Sequence, residues 1–475
     1  MTVQPKEQLA QIGLVGLGTM GAALALNIAE KGYRVAVWNR THSVTEQFMA
    51  DAGPLAANLV PTQTVEELVA ALMPPRAIIL MVPAGPVVDA QIQTLRPLLM
   101  QDDLIIDAGN ANFHDTERRS AEATAAGVPF LGIGVSGGEE GARHGPSIMG
   151  GGTRASWDRV APILTAIAAR YQDSACATWM GEGGAGHFVK MVHNGIEYAD
   201  MQMIAEAYGA MRDGMGMAPQ AIGEVFAGWD TGTLRSYLTE ISGKVAMARD
   251  PSTGSAMLDV ILDAAGQKGT GRWTAIEAQH FAAAVPVIEA AVMARNVSAR
   301  VQDRRRGEEV FGVADEKLTA VSLTDLEGAL IAGKILCYAQ GFEMLTAASV
   351  ENGWALPMPE IAQVWRAGCI IRSAMLNDMA NALREEATRN LIFAPFFSEL
   401  LRSHLPALRR VVAQCLIAGL PVPALSAGLN WFEMMRRARG TANMIQAQRD
   451  FFGAHGFVRI DGLPGTHGPW ALAAG

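Results

Sequence analysis

The sequence predicts an α/β, doubly wound N-terminal domain (residues 1–184), a large all-helical domain (185–440) and a short C-terminal tail (441–475). Three observations carry this. Short apolar runs alternate with helix-length amphipathic stretches through the first third of the chain. A glycine triplet follows the first of those runs, and from about Gly186 onward long stretches at helical period take over, rich in Ala, Met, Leu and Glu.

The strands read as Ile12–Val15, Val35–Trp38, Ile78–Val82, Leu104–Asp107 and Val128–Leu131, with a later candidate at Ala175–Met180. Near-continuous apolar runs of this length suit strands covered on both faces, as in a parallel sheet. The stretches 22–31, 65–72 and 116–126 read as crossover helices. Between Gly132 and Gly152 the composition GIGVSGGEEGARHGPSIMGGG argues against regular structure. In the second domain the helical stretches are 188–213, 277–301, 325–350, 359–371 and 398–418, with no clear repeat at a fixed period. The last segment, ending GLPGTHGPWALAAG, reads as a tail with too few apolar residues to fold alone.

Composition narrows the function classes. With 475 residues, half of them hydrophobic and 18% charged, the chain can bury a large core. A net charge of −9 without a long basic run argues against nucleic-acid binding. No run of about 20 apolar residues occurs, so no ordinary membrane span is expected. The start MTVQPKEQLAQIG lacks a basic stretch followed by an apolar one, so no secretory signal is expected and the cytoplasm is the expected location. Cys176, Cys337, Cys369 and Cys415 stand far apart with no CxxC pair, which reads as buried thiols in a reducing compartment, with neither a disulfide framework nor a metal site.

Gly16, Gly18 and Gly21 punctuate GLGTMG between the first strand and the first helix. The first permits a tight turn, the second lets a pyrophosphate approach the backbone, and the third lets helix pack on strand. In that context the motif reads as a Rossmann-like dinucleotide site rather than an incidental turn. After the second strand, where an NAD site usually carries a carboxylate, stand Asn39, Arg40 and Thr41. The missing carboxylate and the Arg40 guanidinium favour NADP; a surface arginine at a strand end is the alternative.

The segment GHFVKMVHNGIEYADM, read as a helix, puts Lys190, His193, Asn194 and Glu197 on one face, with Phe188, Val189, Met191, Val192 and Ile196 around the others. Such a narrow titratable stripe suits a lysine base and a glutamic acid, the alternative being a solvated Lys–Glu stripe. Lys268, Arg295, Arg449 and His455, in glycine-rich or aromatic contexts, read as a pocket for a phosphate or carboxylate, or as ordinary surface charge.

With GLGTMG, NRT, DAGNANFHDT, GVSGGEEGARHGPSIMGGG, GHFVKMVHNGIEYADMQMIAEAY, DAAGQKGTGRWT and QAQRDFFGAH together, the chain resembles the decarboxylating 6-phosphogluconate dehydrogenases of the long homodimeric form, nearly end to end. The resemblance implies oxidative decarboxylation of 6-phosphogluconate to ribulose 5-phosphate and CO2, with Lys190 as base and Glu197 as acid. Gly16, Leu17, Gly18, Thr19, Met20, Gly21, Asn39, Arg40, Thr41, Val82, Pro83 and Ala84 would line the NADP site, and Asn110 would touch both cofactor and substrate. Ser136, Gly137, Gly138, His193 and Asn194 would hold the sugar acid. Tyr198, Lys268, Thr270 and Arg295 would hold its phosphate, joined by Arg449 and His455 from the tail of a second subunit. The sequence departs from the family at Val82–Pro83–Ala84, where Val-Lys-Ala is common, which leaves NAD as a secondary cofactor. It also has IMGGG where MPGG is usual. Two other readings are a β-hydroxyacid dehydrogenase that does not decarboxylate and a catalytically silent NADP-binding relative.

Overall fold

The computed structural model describes residues 9–267, 269–313 and 316–472. The strands, in chain order, are β1 (Ile12–Val15), β2 (Val35–Trp38), β3 (Leu59–Pro61), β4 (Ala77–Leu80), β5 (Leu104–Asp107), β6 (Phe130–Ser136), β7 (Ser147–Gly151), the small hairpin β8 (Arg170–Tyr171) and β9 (Ser174–Ala175), and β10 (Ala177–Gly181). The main sheet runs β3-β2-β1-β4-β5-β6-β7-β10. Neighbours are parallel except β6 and β7, which pair antiparallel with Ser136 opposite Ser147. The reversal of strand order at β1/β4 places a crevice at the carboxyl ends of those strands.

Two apolar layers explain the unbroken hydrophobic runs. Leu14, Val37, Ile79 and Ile106 face one layer; Val15, Ala36, Ile78 and Ile105 face the other. Side chains alternate across a strand, so both sets must be apolar when helices cover both faces.

The glycine-dense segment departs from expectation. It forms the end of β6, a short helix Gly138–His144 and strand β7. Its glycines make the sheet face flat enough for the helix Ala185–Gly209 to lie on it. A Cβ on Gly134 would stand 2.4 Å from the Cβ of Lys190, and one on Gly186 would stand 2.5 Å from the Met149 carbonyl oxygen. The stretch expected as one helix over 277–301 is two, Thr270–His280 and Pro286–Ser298. Pro286 opens the second helix, and Ala282, at φ 49°, turns the chain between them. The stretch 359–371 keeps only Met358–Val364 as helix, and the short strand β3 carried too weak a period-two signal to be recognised.

Three helices frame the rest: Ala185–Gly209, Leu323–Asn352 and Pro395–Ile417. The 30-residue helix Leu323–Asn352 is buried on most sides, starts at a capping box of Ser322 and Asp325, and reaches the first helix through a buried Lys334–Asp200 pair at 2.8 Å. Among the described residues no helix is long and apolar enough to cross a membrane.

The chain divides into two compact units, one ending at Ala427 and one beginning at Gly428. Within the second, residues 441–475 were expected to be a tail with too few apolar residues to fold alone. It carries the helix Ala442–Gly453 and folds around the buried Asp450. That carboxylate accepts from the amides of Gly456 and Gly468 (both 2.9 Å) and from Trp470 Nε1 at 2.8 Å, and it pairs with His467 Nδ1 at 2.7 Å. A polar knot, invisible to hydrophobic patterning, orders this segment.

Candidate functional site

At the crevice, Gly16 adopts φ 98°, and a Cβ there would meet the Met81 carbonyl at 2.5 Å. A Cβ on Gly21 would come within 1.9 Å of the Gly16 oxygen. These two glycines let strand, turn and helix close on each other. Gly18 differs: nothing lies within 4 Å of where its Cβ would be. It heads the helix Thr19–Glu30, whose start has no side-chain cap and no acidic residue, so amide donors and the positive end of the helix dipole face open space.

A cleft of about 260 Å³ joins Gly16 and Gly18 to Asn39, Arg40, Thr41, Val82 and Pro83, with Trp38, Met81, Val87 and Gln91 completing its walls. Asn39 Oδ1 accepts from the Leu17 amide at 3.0 Å and its Nδ2 donates to the Thr41 carbonyl at 3.1 Å, so the residue standing where a carboxylate is usual ties the two loops together. Arg40 is exposed, and among the described residues no hydrogen-bond or ion-pair partner holds its guanidinium. Thr19 and Met20 sit on the first turn of the helix.

Behind the cleft, Arg119 is buried and was not singled out from sequence, because an arginine on an amphipathic helix reads as surface. Its Nε donates to Asp89 at 2.8 Å, Nη1 reaches Asp107 at 3.4 Å, and Nη2 donates to the Gly85 carbonyl at 3.0 Å. Arg119, ahead of desolvation, holds the Asp89 carboxyl at about 2. The guanidinium thereby fastens the loop that carries Pro83 and Ala84 to the end of β5, just before Asn110.

The second cluster stands where the helix Ala185–Gly209 crosses β6. Lys190, 6% exposed, donates from Nζ to Ser136 Oγ at 2.9 Å and lies 3.3 Å from His193 Nδ1. His193 Nε2 is 3.3 Å from Ser136 Oγ, and its Nδ1 is 3.1 Å from Asn194 Oδ1. Glu197, a turn further on, approaches His193 at 3.9 Å. Burial pushes the Lys190 ammonium below its ordinary range against the opposing pull of Glu197. Burial likewise pushes the Glu197 carboxyl up, against Lys190 and Arg295. Desolvation, reinforced by Lys190, keeps the His193 imidazole neutral well below its usual value. Gly137, at φ 111°, turns tightly against the Gly368 carbonyl, while the next residue, Gly138, leaves open space.

Around Tyr198 a third group gathers. The Arg295 guanidinium stacks 3.6 Å from the centre of the Tyr198 ring and donates to the Gly266 carbonyl at 2.8 Å. Thr270 begins its helix directly beside them, since a Cβ on Gly271 would touch the Tyr198 ring at 2.4 Å. Lys268 lies outside the described residues. Arg449 and His455 belong to the 428–475 unit, both exposed, with Arg449 bonded to Gln446 at 3.4 Å.

A family model for the NAD binding domain of 6-phosphogluconate dehydrogenase matches residues 11–181, and one for the C-terminal domain of that enzyme matches 186–470. The chain belongs to the 6-phosphogluconate dehydrogenase family. It is 45% identical over 479 residues to the decarboxylating 6-phosphogluconate dehydrogenase of Treponema pallidum, covering 98% of each chain. It is 45% identical over 467 residues to the NADP(+)-dependent enzyme of Bacillus subtilis and 43% over 465 residues to the NAD(+)-dependent one of the same organism, each alignment covering 97% of this chain and 99% of the relative. Among solved structures, the 6-phosphogluconate dehydrogenase of Plasmodium falciparum, described free, with its cofactor NADP+ and with its substrate 6-phosphogluconate, superposes with a TM-score of 0.94 at 40% identity, over 97% of this chain and all of that one. Relatives of different cofactor dependence stand at nearly equal identity, so within this 6-phosphogluconate dehydrogenase family cofactor choice must be read from the residues at the cleft.

Proposed function

We propose that this protein oxidises and decarboxylates 6-phosphogluconate to ribulose 5-phosphate and CO2 with reduction of NADP. The observation that carries the reading is Lys190: buried, pushed toward its neutral form, 2.9 Å from Ser136, on the same helix face as a Glu197 whose carboxyl is pushed toward its protonated form. Opposite shifts in two groups on one face are what a base and an acid in a single turnover require.

The crevice fits a dinucleotide. Gly18 and the uncapped helix start would take the pyrophosphate, and Arg40, unpaired among the described residues, would take a 2′-phosphate. Bound there, NADP supplies the hydride acceptor. Lys190 takes the proton of the substrate's 3-hydroxyl. Once the 3-keto acid has formed, protonated Lys190 donates to the oxygen that gains charge as CO2 departs, a charge-assisted bond strongest in the transition state. Glu197 then protonates C1 of the enediol. Ser136 and His193 orient Lys190 between these two duties, and the phosphate is held by Tyr198, Thr270 and Arg295. Such acid–base assistance is worth ~10²–10⁴-fold in rate. The proximity of Arg295 and Tyr198 to Glu197 on the substrate side favours a phosphorylated acid over a small hydroxy acid.

The 428–475 unit exposes Met444, Ile445, Phe451, Phe452, Val458 and Ile460, an apolar surface suited to cover by a second copy of the chain. A homodimer in which Arg449 and His455 complete the partner's substrate site accounts for it. The four cysteines are free and buried, which fits a reducing cytoplasm.

The direct assay follows cofactor reduction with 6-phosphogluconate while trapping CO2, for the intact chain, for Lys190→Met and for a chain ending at residue 440. Equal amounts of reduced cofactor and CO2 are expected from the intact chain, and none from either variant. Reduction without CO2 would overturn decarboxylation, and an active truncation would overturn the shared site.

A further inference from the structure

The fold assembles a group of ligating side chains that the catalytic reading does not use. His114 stands on the first turn of the helix Phe113–Ala126, four residues after Asn110. Glu277 and His280 lie three apart on the helix Thr270–His280, hence on one face. Glu277 is buried, with its side chain 6% exposed, whereas the two imidazoles open to solvent at 59% and 64%. His114 Nε2 stands 3.1 Å from Glu277 Oε2, and His280 Nδ1 stands 3.0 Å from the same oxygen. All three ligating atoms lie within 4.8 Å of one another. Nothing in the sequence pattern announced this group, because His114 and Glu277 stand 163 positions apart and only folding brings them together.

We propose that His114, Glu277 and His280 form a binding site for a divalent transition-metal ion of the zinc class, separate from the catalytic machinery. Two imidazoles and one carboxylate are a donor set that Zn²⁺ takes, with a fourth position left to water. Ligand bonds of about 2.0–2.2 Å place neighbouring donor atoms roughly 3.3 Å apart in a tetrahedron. Both His–Glu distances already stand close to that edge, and only the exposed imidazoles need to swing. The His114 ring rests on Phe113, with centroids 4.0 Å apart, and the His114 amide donates to Asn112 Oδ1 at 3.0 Å, which fixes the start of its helix. A buried carboxylate carries a desolvation cost that a cation offsets. Hard oxygen-seeking ions such as Mg²⁺ fit poorly, since two of three donors are imidazole nitrogens.

The position gives the metal a consequence. It would clamp the helix that follows β5, next to Asn110, onto the helix that begins at Thr270. Occupancy therefore stabilises the folded chain by mass action, without supplying a catalytic group.

The test titrates the metal-free full-length chain with Zn²⁺ by calorimetry and with Co²⁺ by visible absorption, for the parent and for His114→Gln/His280→Gln. Both replacements are at exposed rings, so folding and metal-free turnover are expected to match the parent. The parent should bind one ion per chain, show the intense visible bands of low-coordinate Co²⁺, and gain in Tm with added Zn²⁺. The double variant should lose the stoichiometric site, the bands and the Tm gain together. A parent that binds no stoichiometric ion would overturn the proposal. So would a double variant that binds as tightly as the parent, since the ion would then sit on other histidines.

Discussion

Replacing Gly134 by alanine tests whether the glycines of β6 set the position of Lys190, the proposed base. The new methyl would lie 2.4 Å from the Cβ and 2.9 Å from the Cγ of Lys190, with the Gly186 carbonyl oxygen at 3.2 Å. Carbon pairs rest at about 3.5–4.0 Å, so the helix must withdraw from the sheet by roughly 1 Å. Overpacking of this kind costs ~1–3 kcal/mol of stability. The larger effect falls on chemistry, because the Lys190–Ser136 contact at 2.9 Å is made across this joint. A misplacement of about 1 Å lowers turnover by ~10²-fold. The assay is kcat with 6-phosphogluconate, read beside the Kd for NADP, which should stay near the parent value because Gly134 does not line the cofactor cleft. Gly209→Ala provides the contrast on the same helix, with open space around its Cβ and φ −60°. It should keep parental kcat and gain up to ~1 kcal/mol in stability. A folded Gly134→Ala enzyme with kcat within twofold of the parent would refute the claim that close backbone approach fixes the base.

Arg40→Ser should cost roughly 10–100-fold in kcat/KM for NADP, the worth of a charged hydrogen bond at about 1.5–3 kcal/mol, and leave the NAD value nearly unchanged; equal losses with both cofactors would refute its role as reader of the 2′-phosphate. Arg119→Met leaves Asp107 buried without its cation and should destabilise by ~3–5 kcal/mol in denaturant unfolding, with weaker NADP binding as the loop at Pro83 loosens. Glu206, in the site helix, accepts from the amides of Ala424 and Leu425 at 2.8 and 3.0 Å, yet burial, the larger influence, raises its carboxyl to about 7. The folded chain therefore holds a proton there that the unfolded chain has released, and stability falls as pH rises from about 4.5 to about 7. Urea unfolding across that window should show the slope in the parent and lose it in Glu206→Gln. The pH profile of kcat should have both limbs drawn toward neutrality, from a Lys190 pushed down and a Glu197 pushed up, and Glu197→Gln should remove one limb.

The parts legible in the sequence are those governed by local pattern. Strands such as Ile12–Val15 and Leu104–Asp107 stood out because burial on both faces demands uninterrupted apolar residues. The stripe of Lys190, His193 and Glu197 stood out because helical period sorts residues by face. Where packing partners decide, the sequence misled. The glycines at 132, 134, 150 and 151 read as loop, although they belong to strands pressed against a helix backbone and a tryptophan ring. Arg119 gave no signal because its partners Asp89 and Asp107 come from other elements. Asp450 held no signal either, since its role is to collect donors from residues 456–470.

The joint between β6 and the helix Ala185–Gly209 also bears on how such proteins can be recombined. A crossover at residue 184 would separate Gly134 and Met149 from the Lys190 and Gly186 that fit them to within a methyl group. Chimeras exchanging the cofactor half at that point should lose turnover even between active parents. Carrying the helix along with the sheet would move the break without removing it, because an added Cβ on Gly195 or Gly341 would meet Thr274 or Ile196 just as closely, at 2.7 and 2.6 Å.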